Sequence, residues 1–384
     1  MENKTAVAYK QPLLEGLSWE EKLAWLRLLR TKNVGALTFY ELLRRFGTAS
    51  QALTEIPRLA QRGGARDLVF PCTEPEARQE WERIEAFGAH LLFRDDSLFP
   101  QALKTLPDCP PILTVKGNLE ILNKSAIAIV GARNASLNGK KFAEKIAREL
   151  GEKGYKIVSG LARGVDTHAH RASLSTGTLA VVAGGINVIY PEENKGLYEQ
   201  ILEKGAIVAE SPFGVAPQSH FFPKRNRLIS GLSLGVVVVE AAIQSGSLIT
   251  ANYALEQNRE IFAVPGSPFD PRCHGVNNLI RQGATLIQNV AEIIEGLPSQ
   301  TSLFQSREIP SFYEEGISPP PKADRYEKIR EDLLTNLSYT PTSIDELIRH
   351  CLASPAEVLY ILLELELAGR IERHAGNKVA YVEK

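Results

Sequence analysis

The sequence is poor in the residues that build metal centres and disulfide frameworks. Only four of its 384 residues are cysteine, and Cys72, Cys109, Cys273 and Cys351 are far apart along the chain. None of these separations matches a zinc site or a redox pair. Cys273 and His274 are the only adjacent soft ligands, and a chance pairing within a loop explains them better than a metal does. We therefore expect no metal and no other cofactor.

Long apolar runs are also missing. The N-terminal segment around Glu2, Lys4 and Lys10 lacks the continuous apolar core of a signal peptide. No later segment approaches the length that spans a bilayer. These features predict a cytoplasmic protein without a membrane partner.

The chain has no excess of charge of one sign. Its formal net charge is -1, with 44% hydrophobic and 23% charged residues. This balance excludes a generally basic protein that coats nucleic acid, so any site for a polyanion must be a local cluster of cations. The length allows two or three domains.

Short apolar runs begin at Ala126, and most are followed by a glycine or polar loop and then by a helix-like stretch. This alternation is typical of a parallel sheet with crossover helices. The six candidate strands are Ala126–Val130, Tyr155–Val158, Leu179–Ala183, Ala206–Ala209, Val236–Val239 and Ile261–Val264. They predict an α/β fold with an extended, doubly wound Rossmann-like sheet. Strand-like sequence from Leu91 to Gly117 would extend the sheet at one edge.

The segments on either side of the sheet predict two smaller domains. Two amphipathic helices, Trp19–Thr31 and Leu37–Phe46, are joined by a turn that contains Gly35, which resembles a SAM-like or helix-hairpin-helix module. A plain helical bundle fits this pattern equally well. We therefore predict a helical domain over 1–78, the Rossmann-like domain over 79–297, a serine- and proline-containing linker over 298–322, and a C-terminal domain over 323–384.

The C-terminal segment predicts a winged helix. Tyr326–Leu337, Ile344–His350 and Pro355–Ala368 are the candidate helices, and Arg370–Arg373 and Lys378–Val382 form a candidate hairpin. The third helix would be the recognition helix, but it carries Glu357, Glu364 and Glu366, which repel phosphate. Protein contact or domain packing is therefore favoured over DNA binding. Arg373 and Lys378 in the wing leave DNA binding open.

The segment from Ser219 to Ser230 combines aromatic rings with cations. Phe221 and Phe222 are followed by Lys224, Arg225, Asn226 and Arg227. Rings that stack on bases beside cations that hold phosphates suit single-stranded nucleic acid. A buried phenylalanine pair beside a solvated basic face is the competing interpretation.

Glycine-containing loops follow several predicted strands, at the sheet edge where open α/β sheets bind their ligands. The first contains Gly131 and Arg133. The second contains Ser159, Gly160 and Arg163, with Asp166 as a candidate cap of the next helix. A later loop runs from Glu240 to Ser245, Gly246 and Ser247. Such loops favour an anion.

Other nucleotide motifs are absent. Gly131 lacks the two further glycines of the dinucleotide fingerprint, and the chain contains no P-loop. His168 and His170 would lie on different faces of one helix, which argues against a shared metal.

Together these segments resemble the DprA/Smf family. The matching motifs run in order over about half the chain: Val130-Gly131-Ala132-Arg133, Ser159-Gly160-Leu161-Ala162 with Gly164 and Asp166, Tyr190-Pro191 with Asn194, Phe222-Pro223 with Arg225-Asn226-Arg227, Glu240, Ser245-Gly246-Ser247-Leu248-Ile249-Thr250 and Pro265-Gly266. The resemblance implies a protein without enzymatic activity that binds single-stranded DNA during natural transformation and helps load RecA recombinase on it. It also implies a homodimer through the Rossmann-like domain.

Carried onto this chain, the resemblance implies a binding pocket beside the sheet. Arg133, Arg163, Arg225 and Arg227 would contact phosphates, Phe221 or Phe222 a base, and Asn226 would order the arginines. The predicted nucleic-acid-binding residues are Gly131, Arg133, Ser159, Gly160, Arg163, Phe221, Phe222, Lys224, Arg225, Asn226, Arg227, Ser245, Gly246 and Ser247. Some relatives have lysine around the Tyr-Pro-x-x-Asn segment, whereas this chain has Glu192 and Glu193, with Lys195 just beyond. Either Lys195 supplies the charge or this rim contributes less to DNA binding.

Two other functions compete with strand binding. Rossmann-like folds include nucleotide-processing phosphoribohydrolases, in which a residue such as Glu240 would be a general acid or base. The chain has no paired catalytic carboxylate or recognisable nucleophile to support that alternative. A transcription regulator acting through the winged helix is the other alternative, and the acidic recognition helix argues against it.

Overall fold

The computed structural model describes residues 16–297, 323–374 and 376–382. Its N-terminal helical domain consists of α1 (Trp19–Arg30), α2 (Ala36–Phe46), α3 (Ala49–Arg62) and α4 (Glu74–Ala86). Side-chain caps start three of these helices: Ser18, Thr48 and Thr73 each accept a hydrogen bond from a first-turn N–H. The domain boundary predicted at residue 78 falls inside α4.

A nine-stranded sheet forms the centre of the molecule. Its strands are β1 (His90–Phe93), β2 (Ile112–Gly117), β3 (Ala126–Val130), β4 (Lys156–Ser159), β5 (Thr178–Val182), β6 (Ala206–Ala209), β7 (Gly235–Val238), β8 (Glu260–Ala263) and β9 (Thr285–Leu286). The order across the sheet is β1-β2-β6-β5-β4-β3-β7-β8-β9. Strands β3 to β9 pair in parallel, and β2 and β1 add antiparallel pairs beyond β6. The extended Rossmann-like fold is therefore confirmed, and all six predicted strands lie within one residue of their observed positions.

Helices cover both faces of this sheet. They are the short α5 (Gln101–Lys104), α6 (Leu137–Glu152), α7 (Val165–Ser173), α8 (Lys195–Lys204), α9 (Phe221–Gly231), α10 (Gly246–Glu256), α11 (His274–Arg281) and α12 (Val290–Gly296). Strands β3, β5, β6 and β7 are buried along their whole length because helices lie above and below them. Because β3, β4 and β5 are neighbouring parallel strands, the loops that follow them lie side by side at the carboxyl edge of the sheet.

The segment that combines aromatics and cations is helical from its first phenylalanine. The sequence suggested a loop leading into a helix, but α9 already begins at Phe221. Pro223 is the third residue of α9, in the first turn, where a missing N–H costs no intrahelical hydrogen bond. Phe221 to Arg227 therefore occupy the first two turns of a helix, with fixed directions for their side chains.

The C-terminal domain is a winged helix, as predicted. It contains α13 (Ala323–Asn336), β10 (Thr342–Ser343), α14 (Ile344–His350), α15 (Pro355–Leu367), β11 (Ile371–His374) and β12 (Lys378–Tyr381). Strand β10 adds a third strand to the predicted hairpin, in the order β10-β12-β11. The linker predicted over 298–322 lies outside the described residues.

The winged helix and the helical domain share one hydrophobic core. Helix α15, the predicted recognition helix, lies against α3, and side chains of both domains belong to the same buried cluster. Gly63, at the end of α3, allows this close approach, because a Cβ there would come within 1.9 Å of the Glu364 carbonyl oxygen. Domain packing is thus the observed role of the acidic helix. Within the described residues, no helix combines the length and apolarity that crossing a bilayer requires.

Candidate nucleic-acid interface

A pocket opens where the loops after β3, β4 and β5 meet the start of α9. Its volume is about 250 Å³. Arg133 and Asn134 come from the first loop, Gly160 and Arg163 from the second, and Gly184 from the third. The wall also includes Tyr190, Pro191, Pro217, Phe222 and Arg225. The pocket lies at the carboxyl edge of the parallel strands, where the sequence predicted the ligand.

Aromatic rings and an exposed guanidinium lie together in this pocket. The Cζ atom of Arg133 is 5.3 Å from the centre of the Phe222 ring, a distance at which cation and ring attract each other. The Tyr190 ring is tilted against Phe222, with 5.6 Å between the ring centres. Arg133 and Tyr190 are exposed, and Phe222 is half-buried. These three side chains present a cation and two aromatic rings to the same opening.

Arg163 also lines the pocket and contacts the acidic segment after Tyr190. Its Nη2 donates to Oε2 of Glu193 at 2.8 Å, and both side chains are more than half exposed. Such exposed ion pairs contribute about 0–1 kcal/mol, so solvent or a phosphate can replace the carboxylate at low cost. The acidic rim therefore neutralises Arg163 in this structure.

Buried polar groups hold the loop after β4 in shape. Asp166 accepts hydrogen bonds from the N–H groups of Gly160 and Ala162 at 3.0 and 3.3 Å. Asn194 donates to the carbonyl of Leu161, a residue whose φ of 55° lies in the left-handed region. Asp166 was predicted to cap α7, but it caps the loop before that helix instead. Burial raises the pKa of Asp166, and the charge of Arg225 opposes this effect.

Arg225 forms part of the pocket floor rather than a free phosphate clamp. Only 7% of it is exposed, and Nη1 donates to the carbonyls of Gly160, at 2.6 Å, and of Val181. Asn226 accepts from its Nε at 3.1 Å, so the prediction that Asn226 orders an arginine holds here. Burial lowers the pKa of Arg225 to about 10, so it stays charged at neutral pH. It adds a fixed positive charge beneath the pocket.

The prediction that Arg227 contacts phosphate needs a similar correction. The side chain is buried and forms ion pairs with Glu210 and with Asp108, the latter at 3.3 Å. Although burial opposes the charge, these two carboxylates raise the pKa of Arg227. Its charge is compensated within the protein, which leaves a structural role in fixing α9.

Several other predicted residues lie outside the pocket. Ser159 is fully buried and donates to the carbonyl of Ile129, while Gly131 allows close contact with Val165. Ser245 caps α10 by accepting from the Ser247 N–H. Gly246 accepts a hydrogen bond from Asn226 at 3.2 Å. These residues brace the loops instead of lining the pocket.

The two phenylalanines of α9 face different cavities. Phe222 lines the pocket, whereas Phe221 and Lys224 line a larger cleft next to it. The pocket and the cleft adjoin at Val182, Ala183 and Arg225, which line both. The N-terminal end of α9 therefore lies between two neighbouring openings.

Glu240 and the two histidines have structural partners. The Glu240 carboxylate accepts hydrogen bonds from the N–H and the hydroxyl of Ser136, at the start of α6. His168 contacts Glu144, and His170 contacts Thr178 in the interior. Among the described residues, no three side chains are grouped so as to bind a metal ion.

Sequence reasoning did not assign Tyr190 and Asn134 to the site. Tyr190 belongs to the Tyr-Pro-x-x-Asn motif, and Asn134 directly follows Arg133. Both residues line the pocket. An aromatic residue after a strand at the ligand-binding edge was the available signal for Tyr190. For Asn134, adjacency to Arg133 was the only signal.

These features define a three-domain protein in which a Rossmann-like sheet carries a pocket with cationic and aromatic side chains, flanked by a helical domain and a winged helix. Three family models match in that order: a DprA-like N-terminal HHH domain at 19–82, DNA recombination-mediator protein A at 90–298, and a DprA winged helix domain at 318–377. The chain belongs to the DprA/Smf family.

Relatives support this assignment along most of the chain. Protein Smf of Escherichia coli is 37% identical, covering 92% of this chain and 94% of its own length. The crystallographic structure of DNA processing protein A from Streptococcus pneumoniae has a TM-score of 0.60 at 32% identity, covering 73% of this chain and 98% of that one. DNA processing protein A of Helicobacter pylori, described for its single-stranded DNA binding mode, has a TM-score of 0.50 at 30% identity, covering 54% and 94%.

Proposed function

We propose that this chain binds single-stranded DNA in the pocket beside β3, β4 and β5, and helps load RecA recombinase on that strand during DNA uptake in natural transformation. The observation that carries the proposal is the placement of Arg133 against Phe222 and Tyr190 at one opening. Unpaired bases stack on aromatic rings, and backbone phosphates pair with guanidinium groups. The recombination-mediator family and the H. pylori relative support the same ligand.

The geometry supports a division of roles. Phe222 and Tyr190 would stack a base, while Arg133 and a released Arg163 would contact phosphates at the rim. Gly160 admits Arg225 beneath the pocket, because a Cβ at Gly160 would come within 2.5 Å of the guanidinium. Arg225 would then raise the local potential without leaving its hydrogen bonds. The cytoplasm, where the imported strand would meet RecA, is the compartment that this role implies.

The family resemblance further suggests a homodimer through the Rossmann-like domain. Sedimentation equilibrium at several protein concentrations measures this directly. A monomer at all concentrations and at all DNA ratios would remove the dimer from the proposal and leave strand binding intact.

Cleavage of nucleotides has weaker support. Glu240, the candidate acid or base, is 7% exposed and accepts two hydrogen bonds from Ser136. Its carboxylate also fills the space beside Gly139, where a Cβ would lie 2.5 Å from Oε1. A carboxylate held in this way caps a helix and has little access to a substrate. Incubation with nucleoside monophosphates should release no free base.

The rim arginines provide the direct test. The double variant Arg133→Ala/Arg163→Ala should bind single-stranded oligonucleotides more weakly, with a salt slope shallower by about 1.4, since each lost phosphate contact contributes about 0.7. The matched control, Lys124→Ala/Lys153→Ala, removes two exposed cations at the opposite edge of the sheet and should change neither quantity. If both doubles bind like the unmodified protein, the pocket is not the site.

The RecA step needs its own assay. RecA filament formation on a single strand should accelerate when the unmodified protein is added. The acceleration should fall with the Arg133→Ala/Arg163→Ala variant and persist with the lysine control. Normal strand binding without any acceleration would refute the loading role while leaving the binding role in place.

A further inference from the structure

A cleft of about 2140 Å³ separates the Rossmann-like domain from the wing of the winged helix. The helical domain contributes the segment 64–70, the Rossmann-like domain contributes Phe221 and Lys224, and the winged helix contributes Arg349, Arg370 and Lys378. Pockets for small molecules have volumes of roughly 300–1,000 Å³. The cleft is therefore more suited to a chain molecule than to a single small ligand.

The uncompensated charges that line the cleft are mostly positive. Among the described residues, seven cations that line the cleft have no ion-pair partner: Lys32, Arg66, Lys224, Arg225, Arg349, Arg370 and Lys378. All of them except Arg225 are at least partly exposed. The acidic side chains without a lysine or arginine partner are Asp67, Glu256, Asp345 and Glu372, the last of which contacts His374. Glu366 pairs with Arg373, and Glu210 and Asp108 share Arg227. In a chain of net charge -1, this surplus favours a polyanion locally.

Exposed rings accompany these cations. Phe70 is 71% exposed and Tyr339 is 64% exposed, and both line the cleft. An exposed aromatic ring can bury its apolar face by stacking on a flat partner, and nucleic-acid bases are such partners. The cleft therefore repeats, on a larger scale, the combination found in the pocket.

The cleft adjoins the pocket. Val182, Ala183 and Arg225 line both, and Lys224 lies on the helix turn between them. A strand whose base occupies the pocket would enter the cleft as it continues along α9. Duplex DNA fits this path less well, because the recognition face of α15 is buried against α3.

We propose that the cleft is a second contact surface for the same single strand, in which the wing holds the backbone after it leaves the pocket. The inference rests on the proposed function, since it requires a strand bound at Phe222. It assigns the winged helix a role that does not involve reading a duplex. Arg349, Arg370 and Lys378 would contact phosphates, and Phe70 would stack on a base.

A length series of oligothymidylates tests the cleft. Arg349→Ala/Arg370→Ala/Lys378→Ala should match the unmodified protein on the shortest strand that binds. It should bind longer strands more weakly, with a salt slope shallower by about 2, the sum of three contacts at about 0.7 each. The control Lys124→Ala/Lys153→Ala/Lys204→Ala removes equal charge from the far edge of the sheet and should leave the whole series unchanged.

A second variant protects the test against loss of folding. Phe70→Ala removes an exposed ring, so thermal unfolding should not change, while long strands should bind more weakly at an unaltered salt slope. If the triple variant and Phe70→Ala both bind strands of every length as tightly as the unmodified protein, the cleft is not a contact surface for the strand. That result would leave the pocket assignment intact. If the triple variant loses affinity for duplex DNA but not for single strands, the occupant of the cleft is not a single strand. Failure of the unmodified protein to bind any strand would refute the proposed function itself.

Discussion

Phe221 and Phe222 are adjacent in the sequence, yet their rings line different cavities. Successive helical residues are about 100° apart around the axis, so a start of α9 at Phe221 directs the two side chains apart. Phe222 contacts Tyr190 and Arg133, and Phe221 contacts His220. The sequence left open which of them meets a base in the pocket. Of the two, Phe222 is the ring that lines the pocket in which we propose that a strand binds.

This assignment predicts a loss of stacking without a loss of charge. Phe222→Ala should weaken binding of the shortest single strands by about 1–3 kcal/mol, the range for one stacked base. The slope of log K against log salt should stay constant, because no cation is removed. Fluorescence anisotropy across a salt series measures both quantities. Phe269→Ala, which removes a ring 95% exposed on another loop, is the matched control, and equal losses in both variants would argue against stacking.

His170 links folding stability to pH. Its Nδ1 lies 2.7 Å from the Thr178 hydroxyl, which itself donates to the Ile157 carbonyl, so Nδ1 carries the proton. Nε2 is buried without a hydrogen-bond partner. Burial, together with the nearby charge of Arg225, lowers the pKa of His170 to about 3. The native state therefore keeps this imidazole neutral over the whole mildly acidic range.

The unfolded chain protonates His170 near pH 6.5, whereas the native state does not, so stability should fall as pH decreases below that value. Between pH 7 and pH 5 this one group should remove about 2 kcal/mol of unfolding free energy. Urea unfolding at both pH values provides the measurement. His170→Gln should remove most of the difference, and the control His350→Gln, at an exposed residue, should retain it. An equal pH dependence in all three proteins would contradict the argument.

At the scale of elements, the sequence predicts the strands well and the start of α9 poorly. Buried parallel strands are continuous apolar runs such as Ala126–Val130, a signal that needs no knowledge of tertiary contacts. Pro223 lies in the first turn of α9, where a proline is tolerated, so the helix begins before it. The burial of Arg225 and Arg227 was equally hidden, because their partners Val181 and Asp108 are distant in sequence. Sequence shows that a cation is present, but its partners appear only in the fold.

Contacts between α3 and α15 were also beyond sequence reasoning. The Glu364 carboxylate is buried between Arg62 and Tyr326, and Arg62 donates to the Tyr360 hydroxyl at 2.9 Å. These partners come from opposite ends of the chain. The acidic side chain that argued against DNA binding is thus part of a domain interface.

Gly63 should be the sensitive residue of this interface. Gly63→Ala places a Cβ within 1.9 Å of the backbone of Glu364, so α3 and α15 must separate. We expect about 1–3 kcal/mol of destabilisation, the usual cost of overpacking. Thermal unfolding and protease release of the winged helix measure this effect. Gly196→Ala, at a helical glycine with open space around it, is the control; if it behaves like Gly63→Ala, close packing at the interface is not the cause.

At the scale of the whole molecule, the docking of α15 determines which nucleic acid fits. A winged helix reads duplex DNA by placing its recognition helix in the major groove. Here α15 is largely buried, with eight of its thirteen residues inaccessible, and its partner surface is the helical domain. Under the proposed function, the pocket of about 250 Å³ would receive an unpaired base.

The full chain should therefore prefer single strands to duplexes. At one fixed salt concentration, a single-stranded oligonucleotide should compete more effectively than its duplex for a labelled strand. The remaining affinity for duplexes should not depend on the DNA sequence. The groups that could reach a duplex are cations on the wing, and their contacts with phosphates carry no base information. Competition anisotropy with several duplex sequences measures both properties. Tight, sequence-dependent duplex binding would mean that α15 leaves α3 in solution. In that case, a DNA hairpin with a single-stranded tail would bind through its stem instead of its tail.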